Sequence, residues 1–270
     1  MTATHAATRG QLGRTMLNKV PEITIWFWVI KIMCTTVGET AADYLNINLG
    51  FGLNNTTYVT GALLAVLLLV QIRLRRYVPV AYWAVVVVIS VFGTLITDNM
   101  TDAHNVPLAT STAVFAVILA LVFAVWYAIE RTLSIHTIVT TRREAFYWLA
   151  ILFTFALGTA AGDLSAEKFD LGYAVSIGIF GGLIALVAIA HFAFGLNSVL
   201  SFWLAYILTR PLGASIGDEM SQNSHKYGGL GLGTTGTSYI FLGCILLLVG
   251  YLTITRRDAT EARRAVPEGA

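Results

Sequence analysis

The run WVIKIMCTTVGETAAD (28–43) recurs in outline as WAVVVVISVFGTLITD (83–98), WLAILFTFALGTAAGD (148–163) and WLAYILTRPLGASIGD (203–218). In each copy a tryptophan is followed ten residues later by glycine and fifteen residues later by aspartate. The sets are Trp28/Gly38/Asp43, Trp83/Gly93/Asp98, Trp148/Gly158/Asp163 and Trp203/Gly213/Asp218. A strict internal repeat constrains the architecture more than any other signal. Each copy also lies in an apolar stretch long enough to span a bilayer. Four carboxylates are thereby delivered to equivalent points of four spans, where an unpaired carboxylate is expensive.

The composition agrees. Hydrophobic residues make up 56% of the chain and charged residues 12%, against about 25% charged in an ordinary soluble domain. The reading is an all-α polytopic membrane protein. The two cysteines, Cys34 and Cys244, sit in apolar segments. They read as small packing residues, not as a disulfide or a zinc site. Residues 1–20 are polar and basic and do not read as a signal peptide.

Eight spans are expected, at about 22–46, 56–73, 79–101, 107–130, 144–165, 171–194, 198–221 and 234–255. Each approaches the ~20 apolar residues that a bilayer requires. Pro21, Pro79 and Pro107 are expected at helix starts, where a missing N–H costs nothing. Odd-numbered spans carry the Trp–Gly–Asp signature and even-numbered spans are plainer. One repeat is thus one two-helix hairpin, at about 21–76, 77–131, 142–196 and 197–257 within a single transmembrane domain, 21–257. Residues 1–20 and 258–270 flank it as an N-terminal segment and a tail. The Trp-to-Trp intervals of 55, 65 and 55 residues suggest a hairpin duplicated once and the pair duplicated again. Two spans per repeat make all four repeats insert the same way up. The pseudo-symmetry axis then runs along the membrane normal.

Basic residues set the orientation. Arg9, Arg14, Lys19, Arg73, Arg75, Arg76, Arg131, Arg142, Arg143, Arg256, Arg257, Arg263 and Arg264 lie on the side where odd spans begin; Lys168 and Lys226 lie opposite. Both termini are expected in the cytoplasm. Fifteen residues are about 22 Å of helix, so the tryptophans fall near the inner leaflet and the aspartates near the outer one.

The outward ends of the odd spans collect Glu39, Asp43, Asp98, Asp102, Asp163, Glu167, Asp170, Asp218 and Glu219. Glu39/Asp43, Asp98/Asp102 and Asp163/Glu167 are i,i+4 pairs, and Asp218/Gln222 has the same spacing. Wherever the helix persists, each pair shares a face, and the position eleven beyond each tryptophan lies near that face. Helix C-termini already carry partial negative charge, so these acids need compensation. Two intramembrane bases are at hand, Lys31 and Arg210, each a counter-ion for an acid or half of a fixed ion pair. Two bases cannot neutralise so many acids, and the remaining charge invites cations or protons.

The candidate ion- or proton-binding residues are Glu39, Asp43, Asp98, Asp163 and Asp218, with Asp102 and Glu167 as the weaker members; Lys31 and Arg210 are the candidate counter-ion or gating residues. Asp43, Asp98, Asp163 and Asp218 are the candidate metal ligands. Further oxygens come from Thr35, Thr36, Thr40, Thr94, Thr97 and Thr159. An all-oxygen set suits hard or borderline ions such as Mg, Mn or Ca. His104 and His225 read as loop histidines and His191 as packed or interfacial. In the fourth copy Arg210-Pro211 falls mid-span. Pro removes a backbone bond there, and a broken helix with freed carbonyls near Asp218 is expected. The four glycines read as close-approach points between helices, and the tryptophans as interfacial anchors or wedges between repeats.

With Trp28, Trp83, Trp148 and Trp203, and with KVPEITIWFW (19–28) and CTTVGETAADYLN (34–46) in the first copy, the chain resembles a family of bacterial integral membrane proteins built from four tandem copies of a repeat of unknown function. The resemblance covers about residues 18–257 and implies a bacterial inner-membrane location, without a settled activity.

The expected function is secondary transport or export of a small cation. A divalent metal such as Mn(II), coupled to protons through the aspartates, fits the oxygen ligands best. The alternatives are a proton-coupled organic-cation transporter with the tryptophans as an aromatic wall, and a non-transporting membrane scaffold or sensor. No nucleotide motif and no nucleophile with catalytic spacing stands out, so neither an ATP-driven pump nor an enzyme is expected. No cofactor and no nucleic-acid partner is expected either. The expected partners are the cation and the lipid bilayer, and self-association is left open.

Overall fold

The computed structural model describes residues 18–223 and 228–258, with Glu167 described by its backbone alone. Arg9, Arg14, His225, Lys226, Arg263 and Arg264 lie outside the described residues. Eight long helices follow in order: α1 Ile25–Asp43, α2 Leu53–Arg73, α3 Pro79–Asp98, α4 Leu108–Glu130, α5 Thr141–Asp163, α6 Tyr173–Phe194, α7 Ser198–Ser221 and α8 Gly233–Thr255. Seven of them are long and apolar enough to cross a membrane. The exception is α1, which holds Lys31, Glu39 and Asp43 within 19 residues.

Local chemistry sets the helix starts. Pro79 opens α3 as expected, and Pro107 is the N-cap of α4. Pro21 does not open α1, which begins at Ile25 behind Thr24. Helix α5 starts at Thr141, ahead of the expected 144, because Thr140 caps it: its Oγ1 accepts from the Arg143 N–H at 3.3 Å. Asn197 caps α7 by accepting from the N–H groups of Val199 and Leu200 at 3.0 and 3.2 Å.

Three of the four odd helices end alike. Immediately after Asp43, Asp98 and Asp163 the backbone widens into π-helical turns, Tyr44–Asn48, Asn99–Ala103 and Leu164–Lys168. Each is closed by an i→i+5 bond: Leu49 N–H to Tyr44 O, His104 N–H to Asn99 O and Phe169 N–H to Leu164 O. The chain then turns through left-handed Gly50, Asn105 and Asp170 into the next helix. The π pitch breaks the i,i+4 register on which shared faces for Asp98/Asp102 and Asp163/Glu167 depended. Helix α7 has no π turn. It runs unbroken through Pro211 to Ser221, which corrects the expectation of a broken helix in the fourth copy. Pro211 has no N–H for the carbonyl of Ile207, four residues back, so the freed carbonyl lies far below Asp218.

The odd helices form a closed inner ring in the order α1, α3, α5, α7 and back to α1. Each even helix packs from outside on the following odd helix: α2 on α3, α4 on α5, α6 on α7 and α8 on α1. A sequence repeat is therefore not a packing unit. Its second helix packs mainly on the next repeat, and α8 closes the circle on α1.

The repeat glycines explain how tightly the ring closes. A Cβ added to Gly38 would lie 1.9 Å from Ser90 Oγ, to Gly93 2.6 Å from Phe155 Cβ, to Gly158 2.3 Å from Arg210 Cγ, and to Gly213 1.7 Å from Thr35 Oγ1. Thr35, Ser90, Phe155 and Arg210 each stand seven residues after a repeat tryptophan. Each interface is thus the same glycine meeting the same position of the next helix around the ring.

At the N-terminal ends of the inner helices sits an aromatic layer. The residues before the four tryptophans, Phe27, Tyr82, Tyr147 and Phe202, are all buried, as are Trp83, Trp148 and Trp203. Trp28 is half-buried. The Tyr82 and Tyr147 hydroxyls share a hydrogen bond of 2.5 Å. Three of the tryptophans are wedges, not surface anchors.

Candidate functional site

The C-terminal ends of the four inner helices converge on a cavity of about 500 Å³. Its lining includes Glu39 and Asp43 from α1, Asp98 from α3, Asp163 from α5 and Asp218 from α7, together with Asp102, Asn46, Thr101, Asn105, Tyr173 and Gln222. The four repeat aspartates, placed by the fifteen-residue spacing, thus line one space. Carboxylate oxygens of Glu39, Asp163 and Asp218 lie within 4.8 Å of one another. Asp43 accepts from Gln222 Nε2 at 3.3 Å. Glu39 and Asp218 are buried. Asp102 is exposed at the rim, where Thr101 Oγ1 donates to it at 3.0 Å. The Glu167 side chain lies outside the described residues.

Arg210 lies below this cavity. Its side chain is fully buried. Nη2 donates to Glu39 Oε2 at 2.9 Å, to Thr159 Oγ1 at 2.6 Å and to Thr94 Oγ1; Nη1 donates to Thr35 O at 3.2 Å. Glu39, Thr94 and Thr159 are the residues eleven after the tryptophan in copies one, two and three. The fourth copy has Ala214 there. One arginine from one repeat therefore gathers the equivalent side chain of each other repeat. The sequence holds this signal: aligning the copies on tryptophan puts Arg210 opposite Thr35, Ser90 and Phe155, and puts the three oxygen-bearing side chains one turn further on.

Lys31 behaves differently from its expected role. It is fully buried and donates to the Tyr206 carbonyl at 3.5 Å. Its Nζ stands 4.2 Å from the Tyr206 ring centre and 4.7 Å from that of Phe155. A carbonyl and two ring faces surround the Lys31 nitrogen in place of an aspartate. Lys31 occupies the layer between the Arg210 network and the aromatic layer.

Of the threonines proposed as ligands, Thr94 and Thr159 serve Arg210 through their hydroxyls and Thr35 through its carbonyl. Thr36 and Thr40 donate to carbonyls one turn back in α1, and Thr97 donates to Ala156 O at 3.0 Å. His104 is exposed and its Nδ1 contacts Asn99 O; His191 contacts Leu196 O.

The opposite end carries a network that the repeat did not reveal. Lys19 Nζ pairs with Glu144 Oε2 at 2.6 Å, both side chains 2% exposed. It also donates to the Ile72 carbonyl at 2.9 Å, at the C-terminal end of α2. Gln71 Nε2 donates to Glu144 Oε1 at 3.4 Å. Nearby, Tyr77 donates to Asp258 Oδ2 at 2.5 Å, and Asp258 O accepts from the Glu22 N–H at 3.0 Å. Burial, then the neighbouring Asp258 carboxylate, push the Tyr77 phenol well above its ordinary range. Lys19 and Glu144 lie outside the Trp-to-Asp window, so the repeat comparison passes over them.

No curated protein and no solved structure matches the chain. A family described as a Repeat of Unknown Function (DUF347) matches it four times, over residues 26–77, 81–132, 146–196 and 201–258. These segments cover most of the chain and each contains one inner helix and the outer helix that follows it. The chain belongs to the family of the Repeat of Unknown Function (DUF347), in four tandem copies.

Proposed function

We propose that this protein is a secondary transporter or exporter of a small cation, with the carboxylate cavity as its cation site. In this reading it is a multi-pass protein of a bacterial inner membrane. The chain crosses the bilayer eight times as four parallel two-helix repeats about an axis along the membrane normal. Both termini face the cytoplasm, on the side of Lys19, Arg73, Arg131, Arg142, Arg143, Arg256 and Arg257. The exposed faces of the outer helices, with Phe192, Leu246, Leu247 and Ile254, meet lipid. Helix α1 carries Lys31, Glu39 and Asp43 and is covered by α8.

The single observation that carries the proposal is the convergence of Asp43, Asp98, Asp163 and Asp218 with Glu39 on one cavity, three of the five with oxygens within 4.8 Å of one another. Carboxylates so close cannot all stay charged without a cation or a proton between them. Cation binding and protonation therefore compete at the same oxygens, which is the basis of proton-coupled exchange. All of the lining donors are oxygen or amide groups, which suits a hard divalent ion such as Mn(II). An organic cation is less well served: among the described residues the cavity lining has one aromatic, Tyr173, and three repeat tryptophans are buried at the far end of the inner helices. No catalytic step is part of this reading.

The test is flux in proteoliposomes across a panel of Mn(II), Mg(II), Ca(II) and monovalent ions, with an imposed pH gradient. Asp43, Asp98, Asp163 and Asp218 are each changed to Asn. Loss of flux in the variants is expected; unchanged flux in all four would remove the carboxylate cavity from the mechanism. A protein silent across the panel would leave the scaffold or sensor reading in its place.

A further inference from the structure

We propose a second cation site on the ring axis, immediately below the carboxylate cavity. It is the oxygen shell of Glu39 Oε2, Thr94 Oγ1, Thr159 Oγ1 and Thr35 O. In this conformation the chain's own Arg210 fills it; when the guanidinium swings toward the cavity carboxylates, a small hard cation takes its place. This deepens the transport reading, because it makes Arg210 an internal cation that the transported one must displace.

Three observations carry it. The first is the shape of the shell. Arginine is suited to planar, two-pronged partners, each nitrogen with its own acceptor. Here three oxygens from three different helices crowd one nitrogen, Nη2. Arg210 Nε is buried without an acceptor among the described residues. Oxygens converging on a point are the geometry of an ion site.

The second is the origin of the ligands. Glu39, Thr94 and Thr159 occupy one repeat position on α1, α3 and α5, and the fourth copy has Ala214 there. The shell is thus a ring of equivalent side chains with its fourth place empty of ligand, and Arg210 enters from one turn lower on the helix that lacks one. In the other copies the position of Arg210 is Thr35, Ser90 or Phe155. The arginine is an addition to a shell whose other members follow the repeat.

The third is that Arg210 can leave only by exchange. A guanidinium does not lose its proton at any working pH. A buried Glu39 abandoned by it would be an uncompensated charge. Another cation entering the shell, or a proton on Glu39, is therefore required. Glu39 belongs both to this shell and to the close trio with Asp163 and Asp218, so a cation bound by the trio already touches one ligand of the deeper site. The Arg210 stem lies directly against Gly158, where an added Cβ would fall 2.3 Å from its Cγ, so the missing side chain makes the space that the stem occupies.

Bound Mn(II) is counted by electron paramagnetic resonance on the purified full-length protein. R210S, carrying the residue type of the second copy, is expected to bind about one more ion per chain than the parent. Adding T94V and T159V, which do not line the cavity, should weaken that extra site by roughly tenfold or more. Should R210S aggregate, R210M keeps the stem against Gly158 and Phe155 and is read instead. A folded Arg210 variant with unchanged Mn(II) stoichiometry would overturn the proposal, as would an extra ion indifferent to T94V and T159V. The cavity reading is tested apart: Asp163→Asn with Asp43→Asn should abolish binding in the parent but spare the extra ion of R210S. If those changes leave parental binding intact while R210S still gains its ion, the cavity reading fails and the axial site stands.

Discussion

Arg210 on α7 and Glu39 on α1 form an ion pair of 2.9 Å, with side-chain exposures of 0% and 9%. They are 171 residues apart in the chain. Removing one partner of such a pair strands the other charge, whereas removing both does not. Glu39→Gln alone is expected to cost about 3–5 kcal/mol. Combining it with Arg210→Met should recover part of that loss. Thermal unfolding in detergent, followed by tryptophan fluorescence, measures both; a double variant as weak as the sum of the singles would show that the pair is not coupled.

The glycine contacts predict a graded series. Gly213→Ala drives a methyl into Thr35, and Gly93→Ala into the Cβ of Phe155. Each should destabilise by about 1–3 kcal/mol through overpacking. Gly178 on α6 has nothing within 4 Å of an added Cβ, so Gly178→Ala should be neutral or gain up to about 1 kcal/mol from helix propensity. Midpoints of heat inactivation of monodisperse protein will rank the three.

At the other end of the ring, Lys19–Glu144 ties the segment before α1 to the start of α5, across the ring from α1. A double-mutant cycle of Lys19→Met and Glu144→Gln should give a coupling of about 1–3 kcal/mol. Limited proteolysis offers a second readout: the segment ahead of α1 should be cut faster in either single variant than in the parent.

Tyr77 supplies a pH signature. Its phenol is raised above the ordinary value of about 10 by burial and by Asp258. Both the folded and the unfolded forms are protonated below that value, so its contribution is fully present at neutral pH. It is lost as pH rises from about 10 toward the folded value, because only the unfolded state then releases the proton. The unfolding midpoint should fall in alkali, and Tyr77→Phe should remove part of that slope. The Phe variant should also lose about 1–3 kcal/mol at neutral pH, since the buried Asp258 carboxylate loses a donor.

The Trp–Gly–Asp spacing made much of this legible in advance. Fifteen residues of helix carry Trp83 to the aromatic layer and Asp98 to the cavity, and the same holds in the other copies. The glycines marked the helix contacts because only a missing Cβ lets backbones approach so closely. The π turns were not legible: Asp43, Asp98 and Asp163 look like ordinary helix interior, and the widening depends on how the chain re-enters at Gly50, Asn105 and Asp170. The surroundings of Lys31 are not legible for a similar reason. A buried lysine in a carboxylate-rich chain points to an acid, but the facing Tyr206 and Phe155 come from α7 and α5.

By itself the sequence determined four like helices, their common direction, and the end at which the carboxylates gather, because periodicity and spacing along one helix are local properties of the chain. The tertiary structure alone decided the rest. It placed each outer helix on the neighbouring repeat, since the groove beside the next inner helix is where its apolar face is buried. It also brought Arg210 to a point shared by Glu39, Thr94 and Thr159, since a guanidinium on one helix of the ring meets the three other helices only once the ring has closed.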